Sequence, residues 1–313
     1  MNFQIDHNLL DKDPAAKDLI AILSNKEEEL GLEDAYLYHE FPFYLGEEEE
    51  IITANVMIIS KKVGLLLFKC SPETIADKKK LGNLSDEVDQ IYGNVYSKLV
   101  KSKLLRKKRS ELLVPITPFL FLPNLRVKNT ENYHVFLNDL IMLNRDNLEE
   151  EIGKCKATGL LVSDDNILKE TLSVLEGAKG ISRPKERKYD DKKGETKGKI
   201  LGKIESEIAV FDVEQKRAAM NICQEFQRIR GLAGSGKTIV LAMKAALIHI
   251  RYPDAEILYT FFTKSLYSFI KKLITRFYRQ FADGDPNWEK IKILHAWGGR
   301  SLPGVYYNVC QDN

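Results

Sequence analysis

Gly231-Leu232-Ala233-Gly234-Ser235-Gly236-Lys237-Thr238 satisfies GxxxxGK[ST] at every defined position. This layout dictates its own surroundings. Glycines let the backbone curl until successive amides face one anion, and a helix behind them adds its positive N-terminal end. In that layout Gly231, Gly234, Ser235 and Gly236 form the curl. Lys237 reaches the terminal phosphates of a nucleotide, and the Thr238 hydroxyl takes a place on Mg²⁺. Phe226-Gln227-Arg228-Ile229-Arg230 reads as the strand ahead of the loop, although it is polar for a central strand. Ile239 to Ile250, apolar almost all round, reads as the helix behind it. Working outward, a helix is expected from Val213 to about Cys223 and a strand from Glu256 to Thr260. A second helix then follows from Ser265 to Phe281, and a last strand from Ile291 to Leu294. Strands alternating with helices imply a parallel sheet.

Upstream, Lys179 to Lys203 holds ten basic and four acidic residues, with Gly180, Gly194, Gly198 and Gly202. So little apolar surface cannot offset the entropy of ordering, so the stretch reads as a basic flexible linker at 179–203. It separates an N-terminal domain, 1–178, from a C-terminal one, 204–313. The whole chain of 313 residues carries 47 Lys+Arg against 45 Asp+Glu, a net +2, so any affinity for nucleic acid must come from local patches. Four scattered cysteines without a CxxC pair exclude a zinc ribbon and a disulfide scaffold. No apolar run approaches membrane length and no secretory leader is visible, so a cytoplasmic protein without a membrane partner is expected.

The surroundings of the loop narrow the reading. Gln215, within Phe211-Asp212-Val213-Glu214-Gln215-Lys216-Arg217, resembles the Q motif of UvrD/Rep-type superfamily 1 helicases. There the glutamine recognises adenine through one donor and one acceptor. Leu258 to Leu266 resembles the family's motif Ia and His295-Ala296-Trp297 its motif Ib, segments that touch single-stranded nucleic acid. The resemblance implies a stacking face at Phe261, a phosphate partner at Lys264, and strand contacts at His295 and Trp297. It spans residues 205–313 and implies a partial RecA-like lobe binding ATP and Mg²⁺. The family's apolar strand ending in Asp-Glu is not found between Thr238 and Asn313, nor is the second lobe. Those parts are expected from a longer form of the chain or from a companion protein.

In the N-terminal domain, Pro14 to Leu30 has helical spacing with Gly31 as a stop, and Ala35 to His39 reads as extended. Ile51 to Ser60 and Gly64 to Cys70, aliphatic on nearly every position, suit central strands covered on both faces. Ser85 reads as an N-cap, with Val88, Ile91, Tyr92, Val95, Tyr96 and Leu99 as the apolar stripe of the helix behind it. A proline-broken strand is expected over Val114 to Leu122. The hairpin resembles that of PD-(D/E)XK nucleases, which implies a restriction-endonuclease-like α/β domain. In that family an Asp on the first strand and Glu-x-Lys on the second gather Mg²⁺. Here Asn55, Lys69 and Ser71 stand in those places, and an amide and an ammonium cannot replace carboxylates around a hard cation. A degenerate, non-cutting domain is therefore expected, with an unrelated α/β fold or a nuclease using other carboxylates as alternatives. Lys98, Lys101, Lys103, Arg106, Lys107, Lys108 and Arg109 put seven cations into twelve residues, enough to neutralise several phosphates.

The sequence thus implies a two-domain α/β chain: a nuclease-like domain and the first part of a superfamily 1 motor. Single-stranded DNA or RNA is the expected partner, in prokaryotic DNA processing or phage defence. A nucleotide-gated binding module without hydrolysis and an ATP-regulated nuclease remain as other readings.

Overall fold

A computed structural model describes residues 1–5, 7–45, 51–72, 78–125, 140–159, 165–177, 213–222, 226–263, 266–299 and 304–312. The basic linker lies outside them, as do Lys264, Cys223 and the start of the Gln215 segment. The chain divides into two compact units, Met1–Tyr44 with Ile52–Glu176, and Leu45–Ile51 with Gly177–Asn313.

The described elements up to residue 177 run in chain order. They are β1 (Asn2–Gln4), α1 (His7–Leu10), α2 (Pro14–Asn25), α3 (Glu27–Leu30), β2 (Tyr36–His39), β3 (Phe43–Leu45), β4 (Ile51–Thr53), β5 (Val56–Ser60), β6 (Gly64–Cys70), α4 (Lys78–Leu99), β7 (Arg106–Lys108), β8 (Glu111–Leu112), β9 (Ile116–Phe121), β10 (Ile141–Leu143), α5 (Leu148–Gly159) and α6 (Asp165–Leu175). Six strands form one mixed sheet in the order β1-β2-β5-β6-β9-β10. β1 is parallel to β2, and β6, β9 and β10 are mutually parallel; β5 runs antiparallel to both β2 and β6.

Period-2 alternation assigns the two faces of this sheet. Val56, Ile58, Leu66, Phe68, Phe119 and Phe121 share a core with Leu19 and Leu23 of α2 and with Leu148 and Ile152 of α5. On the other face Leu120 and Leu122 pack with Leu81 and Val88 of α4. Cover on both faces is why β5 and β6 are aliphatic at nearly every position.

Several local readings need correction. Asp13 caps α2, its Oδ1 accepting from Ala16 N at 3.0 Å, with Pro14 in the first turn. The expected helix to Leu30 breaks at Lys26, and Gly31 ends the second piece in the left-handed region. The Ile51 to Ser60 run is two strands, interrupted at Ala54 and Asn55. Ser85 caps nothing: α4 begins at Lys78, which puts Ser85 inside the helix and buried. Pro118 does not break its strand, because β10 pairs only with Phe119–Phe121 and leaves β9 a single neighbour at Pro118.

The second unit has α7 (Val213–Met220), α8 (Lys237–Arg251), β11 (Ile257–Phe261), α9 (Tyr267–Phe281), β12 (Ile291–His295) and α10 (Val305–Asp312). β11 and β12 pair in parallel from Ile257↔Ile291 to Phe261↔His295, as alternation implied. The expected strand at residues 226–230 is irregular, and Phe226 is fully exposed. Gln227, Arg228 and Arg230 leave that segment no apolar face to bury, so nothing repays strand pairing there. Among the described residues no helix is long and apolar enough to cross a membrane.

Candidate functional site

The GxxxxGK[ST] stretch curls as its glycines allow. Gly234 and Gly236 have φ of 81° and 74°, in the left-handed region that favours glycine, and Gly236 caps α8. A Cβ on Gly231 would lie 2.4 Å from Ser235 Oγ, so any larger residue there would force the Ser235 side chain to turn away. Lys237 folds back over the loop: its Nζ donates to Gly231 O at 2.8 Å and to Leu232 O at 2.6 Å. Thr238 follows in the first turn of α8, its carbonyl facing the Tyr259 hydroxyl at 3.4 Å. Burial pushes that phenol up to about 12, so it stays a neutral donor.

Gln215, on α7, donates from Nε2 to Ser235 O at 3.1 Å, and a Cβ on Gly236 would come within 3.2 Å of the same nitrogen. Lys244 on α8 fixes this approach, donating to the carbonyls of Ala218 and Asn221 and to Gln227 Oε1. An exposed loop with a lysine folded across it, at the start of a 15-residue helix, suits an oxyanion.

At the C-terminal ends of β11 and β12 the structure redistributes the expected contacts. Phe261 is buried and meets His295 edge-on, whereas its neighbour Phe262 is 72% exposed. His295 is also buried. Its Nδ1 accepts from Trp297 N and Gly298 N at 3.1 and 3.0 Å, which leaves the Nε2 proton to donate to Phe262 O at 2.6 Å. His295 thus shapes the loop, and the rings that reach solvent are Phe262 and Trp297, the latter packed on Tyr306 at 5.2 Å. Alternation along β11 decides between the two phenylalanines, and no motif could have told them apart.

In the first unit Asn55 lies just ahead of β5, buried. Its Nδ2 donates to Asp13 Oδ2 at 2.7 Å and Glu40 Oε1 at 3.1 Å, and its Oδ1 accepts from Cys70 N at 2.9 Å. Lys69 is paired with Glu87 of α4 at 2.6 Å, so its charge is already compensated and it offers no bare cation to a phosphate. Ser71 is buried, its amide bonded to Phe121 O. Two carboxylates do stand here, Asp13 and Glu40, which sequence reading missed. One potential ligand atom from each of Asp13, His39 and Glu40 lies within 4.8 Å of the others. Ligand distances of about 2.0–2.6 Å place opposite donors roughly 4–5 Å apart, a spacing a divalent cation can bridge, and here the Asn55 amide donates to both carboxylates instead. The Cys70 thiol beside it is pushed well up, by burial first and then by Asp13 and Glu40, which keeps it a thiol. The cap at Asp13 was not read from the sequence, and nothing local could reveal that Asp13 faces Asn55, 42 residues on.

The basic run is not one helical face. Lys98 lies in the last turn of α4 with its ammonium over the Tyr44 ring at 4.2 Å, Lys101 is exposed in a turn, Lys103 is exposed at the start of a short 3-10 helix (Lys103–Leu105), and Arg106 to Lys108 form β7. Glu111 on β8 takes Lys107 and Lys108 at 3.1 and 3.5 Å, which holds its carboxyl below the usual range and removes part of the patch's charge.

No family model, curated protein or solved structure matches the chain. The bearing on function therefore lies in these geometries.

Proposed function

We propose that the second unit binds ATP with Mg²⁺ and is the N-terminal part of a superfamily 1 helicase-like motor acting on single-stranded DNA or RNA. The observation that carries this reading is the docking of Gln215 onto the phosphate-loop curl, since the Gln215 amide and Lys237 are 22 positions apart and meet at one helix start. Lys237, now bonded to loop carbonyls, turns to the terminal phosphates. The Thr238 hydroxyl would hold the metal, which would neutralise phosphate charge. Gln215 offers adenine one donor and one acceptor, a pairing that guanine does not match. Phe262 and Trp297 supply faces for bases, and Trp297 carries forward the strand-contact role implied by the resemblance. Calorimetric titration tests the reading: Lys237→Ala should bind ATP far more weakly, and Gln215→Ala should bind ATP and GTP alike. Equal ATP affinity in wild type and Lys237→Ala overturns it.

The first unit supports a restriction-endonuclease-like reading through the β5–β6 hairpin and the helix α4 behind it. One observation favours a nuclease using other carboxylates over a non-cutting domain: Asp13, His39 and Glu40 gather where the hairpin's own acids are missing. Mn²⁺-dependent cleavage of DNA or RNA, lost in both Asp13→Asn and Glu40→Gln, is expected on this reading. Absence of cleavage by the wild type returns the unit to binding alone.

A further inference from the structure

Helix α9 carries Lys271, Lys272, Arg276 and Arg279 and not one carboxylate. Its other face is locked into the second unit by Ile270, Leu273, Ile274, Phe277, Tyr278 and Phe281, all buried, so the cations are held outward on a rigid support. With Tyr267, Ser268 and Thr275 they line an open groove of about 420 Å³ along this one helix, where the Thr275 hydroxyl donates to Lys271 O at 2.9 Å and the Ser268 hydroxyl stands beside the cations. The lining residues fall in two rows four positions apart, Tyr267-Lys271-Thr275-Arg279 and Ser268-Lys272-Arg276, so neighbours within a row stand about one helical turn, ~5.4 Å, apart.

The outer two cations are set in place by neighbours. Lys271 lies over the Trp288 ring at 4.7 Å, and Arg279 pairs with Asp285 through Nε at 2.6 Å. Among the described residues no carboxylate pairs with Lys272 or Arg276, both exposed, which leaves two uncommitted charges in mid-groove. At the start of the same helix Tyr267 and Phe269 are about half exposed. A lipid surface does not fit, because the apolar face of the helix is already used for packing. A stripe of ammonium and guanidinium groups one helical turn apart within each row, with the Ser268 hydroxyl and rings at one end, complements a phosphodiester chain carrying bases.

We infer that the α9 groove is a track for the sugar–phosphate backbone of single-stranded nucleic acid, with Lys272 and Arg276 as its phosphate contacts. This rests on the reading of the second unit as a strand-binding motor, and adds a surface which none of the recognised sequence motifs includes. Each phosphate contact on a single strand contributes about 0.7 to the slope of log affinity against log salt. Losing two lowers that slope by about 1.4 and weakens binding about tenfold at physiological salt.

The test is fluorescence anisotropy of a labelled oligothymidylate with the full chain, over a salt series, comparing wild type with Lys272→Gln/Arg276→Gln. Both positions are exposed, so unchanged thermal unfolding of the variant serves as the folding control. Weaker binding with the smaller slope, and unaltered ATP binding, is the expected result. Wild-type affinity and slope in the double variant, with binding lost in Trp297→Ala, refutes the track and leaves the strand-binding reading standing. No oligothymidylate binding by the wild type at low salt refutes the track as well, while the Lys237→Ala titration judges the nucleotide site separately. Equal competition by polyglutamate overturns the inference in favour of an acidic peptide.

Discussion

Two lysines on α8 should behave in opposite ways, and the difference is set by where each ammonium is bonded. Lys237 donates to the carbonyls of Gly231 and Leu232 in an exposed loop, so its removal lets water take those acceptors. Lys237→Ala should therefore cost well under about 1 kcal/mol of stability. In the bound state the same ammonium makes charge-assisted bonds to phosphate, each worth about 1.5–3 kcal/mol. At about 1.4 kcal/mol per decade, that is a loss of roughly 10- to 150-fold in ATP affinity. Lys244 instead ties three acceptors together, on Ala218, Asn221 and Gln227, and so holds α7 against α8. Lys244→Met should lower stability by about 1–3 kcal/mol and reduce ATP affinity only as far as Gln215 is released. Calorimetric titration with ATP and Mg²⁺, paired with thermal unfolding of each variant, separates the two effects. A Lys237→Ala protein that unfolds early and binds normally would refute the assignment of roles.

Three further outcomes follow from the same geometry. Gly64→Ala forces φ of 79° on an L residue and sets a Cβ 2.7 Å from Pro115 Cγ and 2.8 Å from Pro115 O. Urea unfolding should show a loss of about 2–4 kcal/mol, and a loss below about 1 kcal/mol would mean the turn relaxes. Asn55→Asp removes the amide that donates to Asp13 and Glu40 and adds a third carboxylate. It should destabilise the first unit until Mn²⁺ is added, and failure of Mn²⁺ to raise the unfolding temperature counts against a cation fitting there. His249 is buried with Nε2 accepting from Asn287 N at 3.1 Å, and burial holds its pKa below the usual 6.5. The folded state therefore binds a proton less readily than the unfolded chain, so stability is full above about pH 6.5 and falls as pH drops through the window beneath it. His249→Gln should flatten that fall in an unfolding series, and an unchanged profile would locate the acid sensitivity elsewhere.

Local chemistry was enough for the elements whose cause is local. The curl at Gly231 to Thr238 needs only glycines where φ is positive, and Pro14 and Gly31 mark a helix start and stop by the same kind of rule. The aliphatic runs of β5 and β6 announce strands covered on both faces, and the stripe of Val88, Ile91, Val95 and Leu99 announces a helix packed on one side. Residues 226–230 failed as a strand because pairing depends on neighbours and on a face to bury, neither of which a short polar segment supplies. Ser85 failed as a cap because α4 starts earlier and turns its hydroxyl inward. What only the tertiary structure decided is which charges meet. Lys69 is neutralised by Glu87, Lys107 and Lys108 share Glu111, and Asp13, His39 and Glu40 converge around Asn55. Helical and strand periods act over a few residues and are written in the sequence. Coulomb and ligand contacts act over a few ångströms, and where the partners are far apart in sequence, as Lys69 from Glu87 and Asp13 from Asn55, they meet only once the sheet and its helices have packed.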